Sequence, residues 1–208
     1  MIMFNVLIDE LPEEYEGYKI NTDHRTGIMI SQAVEDPEIS DIERARICTE
    51  LLFGNDAGEA LPDAQTAFRG ISWFLSGWYT DGAAHALSIA GKKETKDTRK
   101  PPVLDYDRDQ WRIYTAFLAQ YRIDLNRETL HYWVFMALLS NLQECALTQV
   151  IDIRQKPVEG TPEQKRRICE AKAKYGLEDK VTAQDMKEEA KRQAIAADFM
   201  KRVTLHKA

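Results

Sequence analysis

Residues 132–139, which read YWVFMALL, carry no charge and would be apolar on nearly every side of a helix. A helix that is apolar all round is stable in water only when other elements cover most of its sides. We therefore predict that the rest of the chain packs around this run, with Trp133, Phe135 and Leu138 buried. The polar residues 124–128 are predicted to open the helix.

Capping residues mark several helix boundaries. Ser40 with Glu43 three positions later forms a capping box, and Gly54 follows the apolar run that ends at Phe53, so a helix is predicted over 41–53. Capping residues and apolar spacing predict further helices from Asp23 to Asp36, from Asp63 to near Tyr79, from Tyr106 to residue 125, and from a second capping box at Thr161–Gln164 to Gly176.

The N-terminal residues show a different periodicity. Apolar side chains alternate with polar ones at Phe4, Val6 and Ile8, a Pro/Glu/Gly cluster follows, and the alternation resumes at Tyr18 and Ile20. This pattern predicts a small β-hairpin. The acidic residues of the cluster, Glu13, Glu14 and Glu16, lack the apolar surroundings that would raise a carboxyl pKa, so they are interpreted as a solvated loop.

Aromatic residues at helical spacing supply the candidate core. In the helix predicted from Tyr106, Trp111, Tyr114 and Leu118 form one apolar stripe, while Ile113, Phe117 and Tyr121 form an adjoining one, and both need a partner. Periodicity alone does not separate core aromatics from interface aromatics. The candidate core residues are Trp73, Phe74, Trp78, Trp111, Phe117, Trp133, Phe135 and Leu138.

The charge distribution divides the chain. Lys and Arg number 10 against 18 Asp and Glu over residues 1–100, 4 against 7 over 101–153, and 14 against 9 over 154–208. We predict an acidic helical body over 1–153, with an exposed, mobile linker near 91–102, and a basic helical tail over 154–208. A final helix over 183–205 has only a narrow apolar stripe that needs a partner chain or the body. Its candidate partner-binding residues are Met186, Ile195, Phe199 and Val203.

Several classes of function find no support in the sequence. No apolar stretch is long enough for a membrane span, no signal peptide is apparent, and Cys48, Cys145 and Cys169 have no disulfide or metal-ligand spacing. A calcium loop at Asp105–Asp109 fails because its sixth residue is Gln110 and its twelfth is Ala116. These acidic residues are expected to cap a helix start.

His131 is the strongest candidate for catalysis, because histidine titrates near neutral pH and an aromatic pair follows it. The other histidines fall in unrelated segments, and no known nucleophile, metal or phosphate-binding motif accompanies it. We interpret His131 as a packing or capping residue at the mouth of its helix. The expectation is a protein that is not an enzyme and binds no cofactor or metal.

The order of segments resembles a known family. The blocks "LPEEYEGYKINTDHR", "DPEISDIERARICTELLFG", a Trp/Phe helix, "DYDRDQWRIYTAFLAQYRIDL", "LHYWVFMALLSNL" and "EQKRRICEAKAKYGL" resemble, over residues 7–178, a bacteriophage family named after the fifteenth gene product of a Listeria phage. His24 stands where the family more often has an aromatic residue, and His131-Tyr132-Trp133 replaces a more usual His-Trp-Trp. Both departures keep a flat ring.

The resemblance implies a fold and a role. The fold is mainly α: a compact helical domain with a small N-terminal hairpin and a C-terminal helical tail. The role is that of a tail assembly chaperone in the cytoplasm of a bacterial host, which binds the tape measure protein and recruits the major tail protein. The final helix and the linker are the candidates for client contact or for self-association, because each leaves residues unburied or undocked. The alternatives are a structural head-tail or tail component retained in the virion and, third, a DNA-binding regulator using the basic tail. A membrane is not expected as a partner, and nucleic acid is disfavoured because the tail charges alternate in sign.

Overall fold

The computed structural model describes residues 4–54, 60–77 and 103–177. Within these residues the chain forms two short strands and seven helices. In chain order they are β1 (Glu14–Tyr15), β2 (Tyr18–Lys19), α1 (His24–Glu35), α2 (Asp41–Phe53), α3 (Ala64–Ser76), α4 (Tyr106–Tyr121), α5 (Tyr132–Ser140), α6 (Ala146–Gln155) and α7 (Pro162–Tyr175). The mainly α fold with a small N-terminal hairpin is therefore confirmed.

The capping residues read from the sequence lie where they were predicted. Ser40 accepts from the backbone N–H of Glu43, whose side chain binds the Ser40 N–H in return, and the Gly54 N–H closes α2 on the Glu50 carbonyl. A second reciprocal box begins α7 at Thr161. Such boxes satisfy N–H groups that a helix start leaves unpaired. Helix ends that depend on neighbouring residues were thus predicted correctly.

The hairpin is present, but its first strand is not where the alternation placed it. Glu14 pairs with Lys19 and Tyr15 with Tyr18, so the Glu-rich cluster itself forms β1. The two residues between the strands, Glu16 and Gly17, have φ angles of 48° and 85°. Positive φ at both central residues is the requirement of a type I′ hairpin turn. The predicted strand at Phe4, Val6 and Ile8 is wrong, because Val6 and Ile8 lie in a separate turn and Phe4 packs against Trp133.

The chain divides into two units, which are described separately. The first unit comprises residues 1–98 and 106–147, and the second comprises 99–105 and 148–208. In the first unit, α5 is covered by three helices, as its apolar surface requires. Phe135 stacks on Phe117 of α4, with ring centroids 5.1 Å apart. The Trp133 indole N–H donates to the Phe74 carbonyl of α3 at 2.8 Å.

The third contact of α5 is with α1 and requires a glycine. A Cβ at Gly27 would overlap the ring of Tyr132, so only glycine permits this approach. The chain segments before the two helices also pair: His24 N donates to the Leu130 carbonyl at 2.8 Å, and Tyr132 N donates to the Thr22 carbonyl at 2.7 Å. Residues about a hundred positions apart are therefore joined at the starts of α1 and α5.

In the second unit, Arg154 of α6 is the organising side chain. Its guanidinium donates from Nε to the Tyr175 carbonyl at 2.8 Å and from a terminal nitrogen to the Val103 carbonyl at 2.9 Å. Arg154 is buried, and so are the neighbouring apolar residues Val150 and Leu177. A buried guanidinium that binds backbone carbonyls satisfies them in the absence of water. Arg154 thus ties α6 to the end of α7.

Four of the eight predicted core residues are buried in the structure. Phe74, Phe117, Trp133 and Phe135 are buried, whereas Trp73 and Leu138 are half-buried. Trp111 is 70% exposed, so its predicted place in the core is wrong. At 3.6 residues per turn, Trp111 lies about 200° around α4 from the buried Ile113, and only the side of Ile113 faces α5. Trp78 lies outside the described residues.

Two further predictions concern boundaries. Residues 124–128 form a turn closed by Arg127 and Glu128 N–H groups on the Asp124 carbonyl, and α5 begins only at Tyr132. The prediction that the turn opens the helix is therefore wrong, because Asp124 caps its own turn. The helix predicted to end near Tyr79 ends at Ser76 and is capped by Gly77. The linker at 91–102 and the final helix at 183–205 lie outside the described residues.

Candidate partner-binding surfaces

His131 is held in a capping role at the start of α5. Its Nδ1 accepts from the Trp133 N–H at 3.1 Å, and its Nε2 lies 3.1 Å from the Pro12 carbonyl. These partners fix the neutral tautomer in which Nε2 carries the proton and donates it to Pro12. Burial lowers the pKa of His131, which also favours the neutral ring. The interpretation of His131 as a capping residue is confirmed.

His24 has a comparable position at the start of α1. Its Nδ1 lies 3.0 Å from an Asp23 carboxylate oxygen, an arrangement that would favour a charged ring. Burial of the imidazole is the larger influence, however, and lowers its pKa. Asp23 also caps α1 by accepting from the Arg25 N–H at 2.9 Å. His24 and His131 are therefore both neutral structural groups near pH 7.

The acidic residues before and within α4 also have structural partners. Asp109 is fully buried and accepts from Arg112 at 3.0 Å. Asp107 accepts from the Gln32 side chain of α1 at 2.9 Å, which joins the start of α4 to α1. Across the described residues, no group of three or more His, Cys, Asp and Glu side chains could hold a metal ion. The cysteines that the structure describes, Cys48, Cys145 and Cys169, are all free thiols.

The first candidate surface is the exposed side of α4, called here the α4 stripe and defined by Trp111 and Leu118. These side chains are 70% and 41% exposed and lie two turns apart on the helix. Tyr114 supports the stripe: its ring packs edge-on against Trp111 at 5.9 Å, and its hydroxyl lies 3.3 Å from Asp124. A Trp with this exposure adds a large apolar area to an otherwise polar helix face.

The second candidate surface is a turn near the N-terminus, called here the N-terminal turn and defined by Val6, Leu7 and Ile8. Their side chains are 61%, 89% and 81% exposed. The turn is ordered by its flanking residues, because Ile8 N and Asp9 N donate to the Asn5 carbonyl at 2.9 and 2.8 Å. Asn5 N in turn donates to the Asp9 carboxylate at 2.7 Å.

Sequence reasoning missed the N-terminal turn and misassigned the α4 stripe. The run Val6-Leu7-Ile8 lies between Asn5 and Asp9, and such residues favour turns because their side chains bind nearby backbone N–H groups. That local pattern could have identified the turn. The predicted partner-binding residues Met186, Ile195, Phe199 and Val203 lie outside the described residues, so they remain predictions. No helix within the described residues combines the length and apolar character that a membrane crossing requires.

The fold and these surfaces define a class of protein, namely an all-α protein whose first unit displays ordered apolar side chains. The sequence profile of the family described as "Bacteriophage Gp15 protein" matches residues 7–177. The chain belongs to this family, and with it to the structural or morphogenesis proteins of bacteriophages. No curated protein matches the chain, and no solved structure does.

Proposed function

We propose that this protein is a tail assembly chaperone that binds the tape measure protein and helps to recruit tail tube subunits in the host cytoplasm. Membership of a family of bacteriophage structural or morphogenesis proteins is compatible with this role and supports it. In this role the protein acts by binding other proteins and uses no catalysis, cofactor or metal. It associates with the tape measure while the tail is built and leaves when the tube subunits polymerise.

The observation that carries this proposal is the exposed Trp111 on the α4 stripe. Exposed aromatic residues on a rigid helix are typical of protein interfaces, where Trp is among the residues that contribute most to affinity. A long helical client can lie against such a stripe through its own apolar side chains. Because each copy of the chaperone offers a small contact, many copies along one client would give a strong but reversible association.

Co-expression tests the proposal. The tape measure protein is produced in bacteria alone, with the wild-type protein, and with the Trp111→Ala/Leu118→Ala variant, and its soluble fraction is measured. We expect the wild-type protein to keep the tape measure soluble and the double variant to lose most of this effect. Loss of an interface Trp costs at least about 2 kcal/mol, which corresponds to about a 30-fold weaker Kd.

Phe68→Ala is the matched control, since Phe68 is an aromatic residue of α3 that is 60% exposed. It should retain activity if the α4 stripe, and not any exposed aromatic residue, binds the client. An equally insoluble tape measure with and without the wild-type protein would refute the chaperone role. Equal activity of the double variant and the wild type would remove the α4 stripe from the proposal.

A second candidate is a structural component that stays in the virion, because family membership supports this role equally. Quantitative mass spectrometry of purified virions distinguishes the two. The chaperone should be absent or present in trace amounts, whereas a structural component should be found in a fixed ratio to the major tail protein.

A third candidate, a DNA-binding regulator, draws support from α7. This helix has five Lys or Arg residues against two Glu, and none of its residues is buried. Arg166 and Arg167 each pair with a glutamate one turn away, at 3.7 and 2.8 Å, which leaves the helix face partly neutralised. Binding to duplex DNA that weakens steeply with salt would favour the regulator over the chaperone.

A further inference from the structure

The N-terminal turn displays three consecutive apolar side chains in an ordered conformation. A run of exposed apolar residues is unfavourable in water and is typical of sites that bind another molecule. Single exposed apolar residues elsewhere, such as Ile42 at 84%, are common and need no such explanation. The turn thus differs from such residues because its exposed apolar side chains are consecutive in the chain.

The turn is anchored on both sides to the start of α5. On one side, the Phe4 ring packs edge-on against the buried Trp133, with centroids 5.3 Å apart. On the other side, Pro12 binds His131 through its carbonyl at 3.1 Å. These anchors and the Asn5–Asp9 hydrogen bonds hold the turn before any partner arrives. A preformed surface loses little conformational entropy on binding, so its apolar contacts contribute more fully to affinity.

Acidic residues follow the turn in the chain. Asp9, Glu10, Glu13 and Glu14 are exposed, and the first basic residue of the chain is Lys19. Lys19 lies opposite Glu14 in the hairpin. Among the residues described by the structure, Glu10, Glu13 and Glu14 have no ion-pair partner within 4.0 Å. Exposed acidic residues next to an apolar surface attract a basic partner and disfavour an acidic one.

We propose that the N-terminal turn docks helical segments of the client in which Lys or Arg residues flank an apolar stripe. Leu7 and Ile8 contact the apolar stripe, and Glu10, Glu13 and Glu14 face the basic residues at its edges. This inference rests on the proposed function, because the client is the tape measure protein, and it specifies which of its segments this surface binds.

The two surfaces of the first unit would then differ in selectivity. The helix of the α4 stripe carries balanced charges, with Arg108 and Arg112 against Asp107 and Asp109. The charged residues that follow the N-terminal turn as far as residue 18 are all acidic. Acidic surroundings favour basic client segments, whereas balanced surroundings give no such preference. The client segments bound at the turn are therefore predicted to be basic.

Binding to a matched pair of synthetic helical peptides tests the proposal. Both peptides carry the same leucine stripe, but one is flanked by lysines and the other by glutamates, and each is titrated with full-length protein by fluorescence anisotropy. We expect the lysine peptide to bind at least tenfold more tightly than the glutamate peptide. Leu7→Ser/Ile8→Ser should weaken lysine-peptide binding at least tenfold, and Glu13→Gln/Glu14→Gln should weaken it about threefold and reduce its salt dependence.

Ile42→Ser is the matched control, because Ile42 and Ile8 are nearly equally exposed, at 84% and 81%, and the substitution is the same. It should leave binding unchanged. Equal affinity for the two peptides, or equal binding by the Leu7→Ser/Ile8→Ser variant and the wild type, would overturn the proposal. If the turn variants instead abolish self-association of the protein in sedimentation experiments and leave peptide binding intact, its occupant is a second copy and the proposal is likewise overturned.

The same measurements separate this inference from the proposed function. If the tape measure is solubilised by both the wild type and the turn variants, the chaperone role stands and the docking site at the turn is wrong. If the wild type does not solubilise the tape measure, the chaperone role fails whatever the peptides do. If both proposals hold, overlapping peptides that span the tape measure identify the segments that the protein binds. The segments whose binding requires Leu7 and Ile8 should be basic.

Discussion

Replacing Trp133 by alanine should destabilise the protein far more than the same change at Trp111. Trp133 is 4% exposed and Trp111 is 70% exposed, so the two substitutions remove the same atoms from opposite environments. A buried Trp side chain removes about 150–250 Å² from water. At about 25 cal/mol per Å² this area contributes about 4–6 kcal/mol.

The variant loses the ring contacts of Trp133 and its hydrogen bond. Its ring meets Trp73 at 4.9 Å and Phe4 at 5.3 Å, and its N–H satisfies the Phe74 carbonyl at 2.8 Å. Since the cavity relaxes only in part and the alanine methyl remains, we expect Trp133→Ala to lower the free energy of unfolding by about 3–5 kcal/mol. Trp133→Phe keeps most of the ring but leaves the carbonyl unpaired, so it should cost about 1–3 kcal/mol.

Urea unfolding monitored by far-ultraviolet circular dichroism measures these differences. Trp111→Ala should change the free energy of unfolding by no more than about 0.5 kcal/mol, because an exposed side chain loses few contacts. The reasoning is refuted if Trp133→Ala costs less than about 1 kcal/mol, or if the two alanine variants are equally destabilised. Either result would mean that α5 is not covered as the structure places it.

Three other changes probe the joints around α5 and the helix ends. Gly27→Ala should cost about 1–3 kcal/mol in thermal unfolding, because the new methyl group overlaps Tyr132; unchanged stability would contradict the close approach of α1 and α5. Ser40→Ala should cost about 0.5–2 kcal/mol by removing a cap of α2, and Ser40→Asn should restore most of it. Burial lowers the pKa of His24 and His131 below the value of about 6.5 in an unfolded chain. The folded protein therefore binds fewer protons than the unfolded chain, and the urea midpoint should fall as the pH falls from about 7 through 6.5 towards the folded-state pKa. The decrease should be less steep in the His131→Asn variant. A urea midpoint that does not change with pH would contradict the lowered pKa values.

Local features of the fold were predictable because local chemistry determines them. The capping boxes at Ser40 and Thr161 act over three residues, and both helices begin where the sequence indicated. The hairpin was displaced for an equally local reason. The alternation at Phe4, Val6 and Ile8 has the period of a strand, but the positive φ angles of Glu16 and Gly17 place the turn further along the chain.

Long-range features were not predictable from periodicity. Both apolar stripes of α4 have helical spacing, and only the packing of Phe117 on Phe135 decides that the side of Ile113 is buried and that of Trp111 is exposed. The pairing of His24 with Leu130 joins residues that no local pattern relates. The candidate surfaces follow from these choices, so their positions could be found only in the folded protein.

The anchoring of the N-terminal turn on α5 determines which variants are informative about binding. Phe4 packs on Trp133, so Trp133→Ala removes both core packing and one support of the turn. Weaker client binding by that variant would have two possible origins, because contacts that share a partner are not additive. Leu7, Ile8 and Trp111 are exposed and carry no comparable share of the core. Only substitutions at such exposed positions can change the affinity for the client without changing the stability of the fold. This independence of binding from folding is expected of a surface that binds and then releases its client.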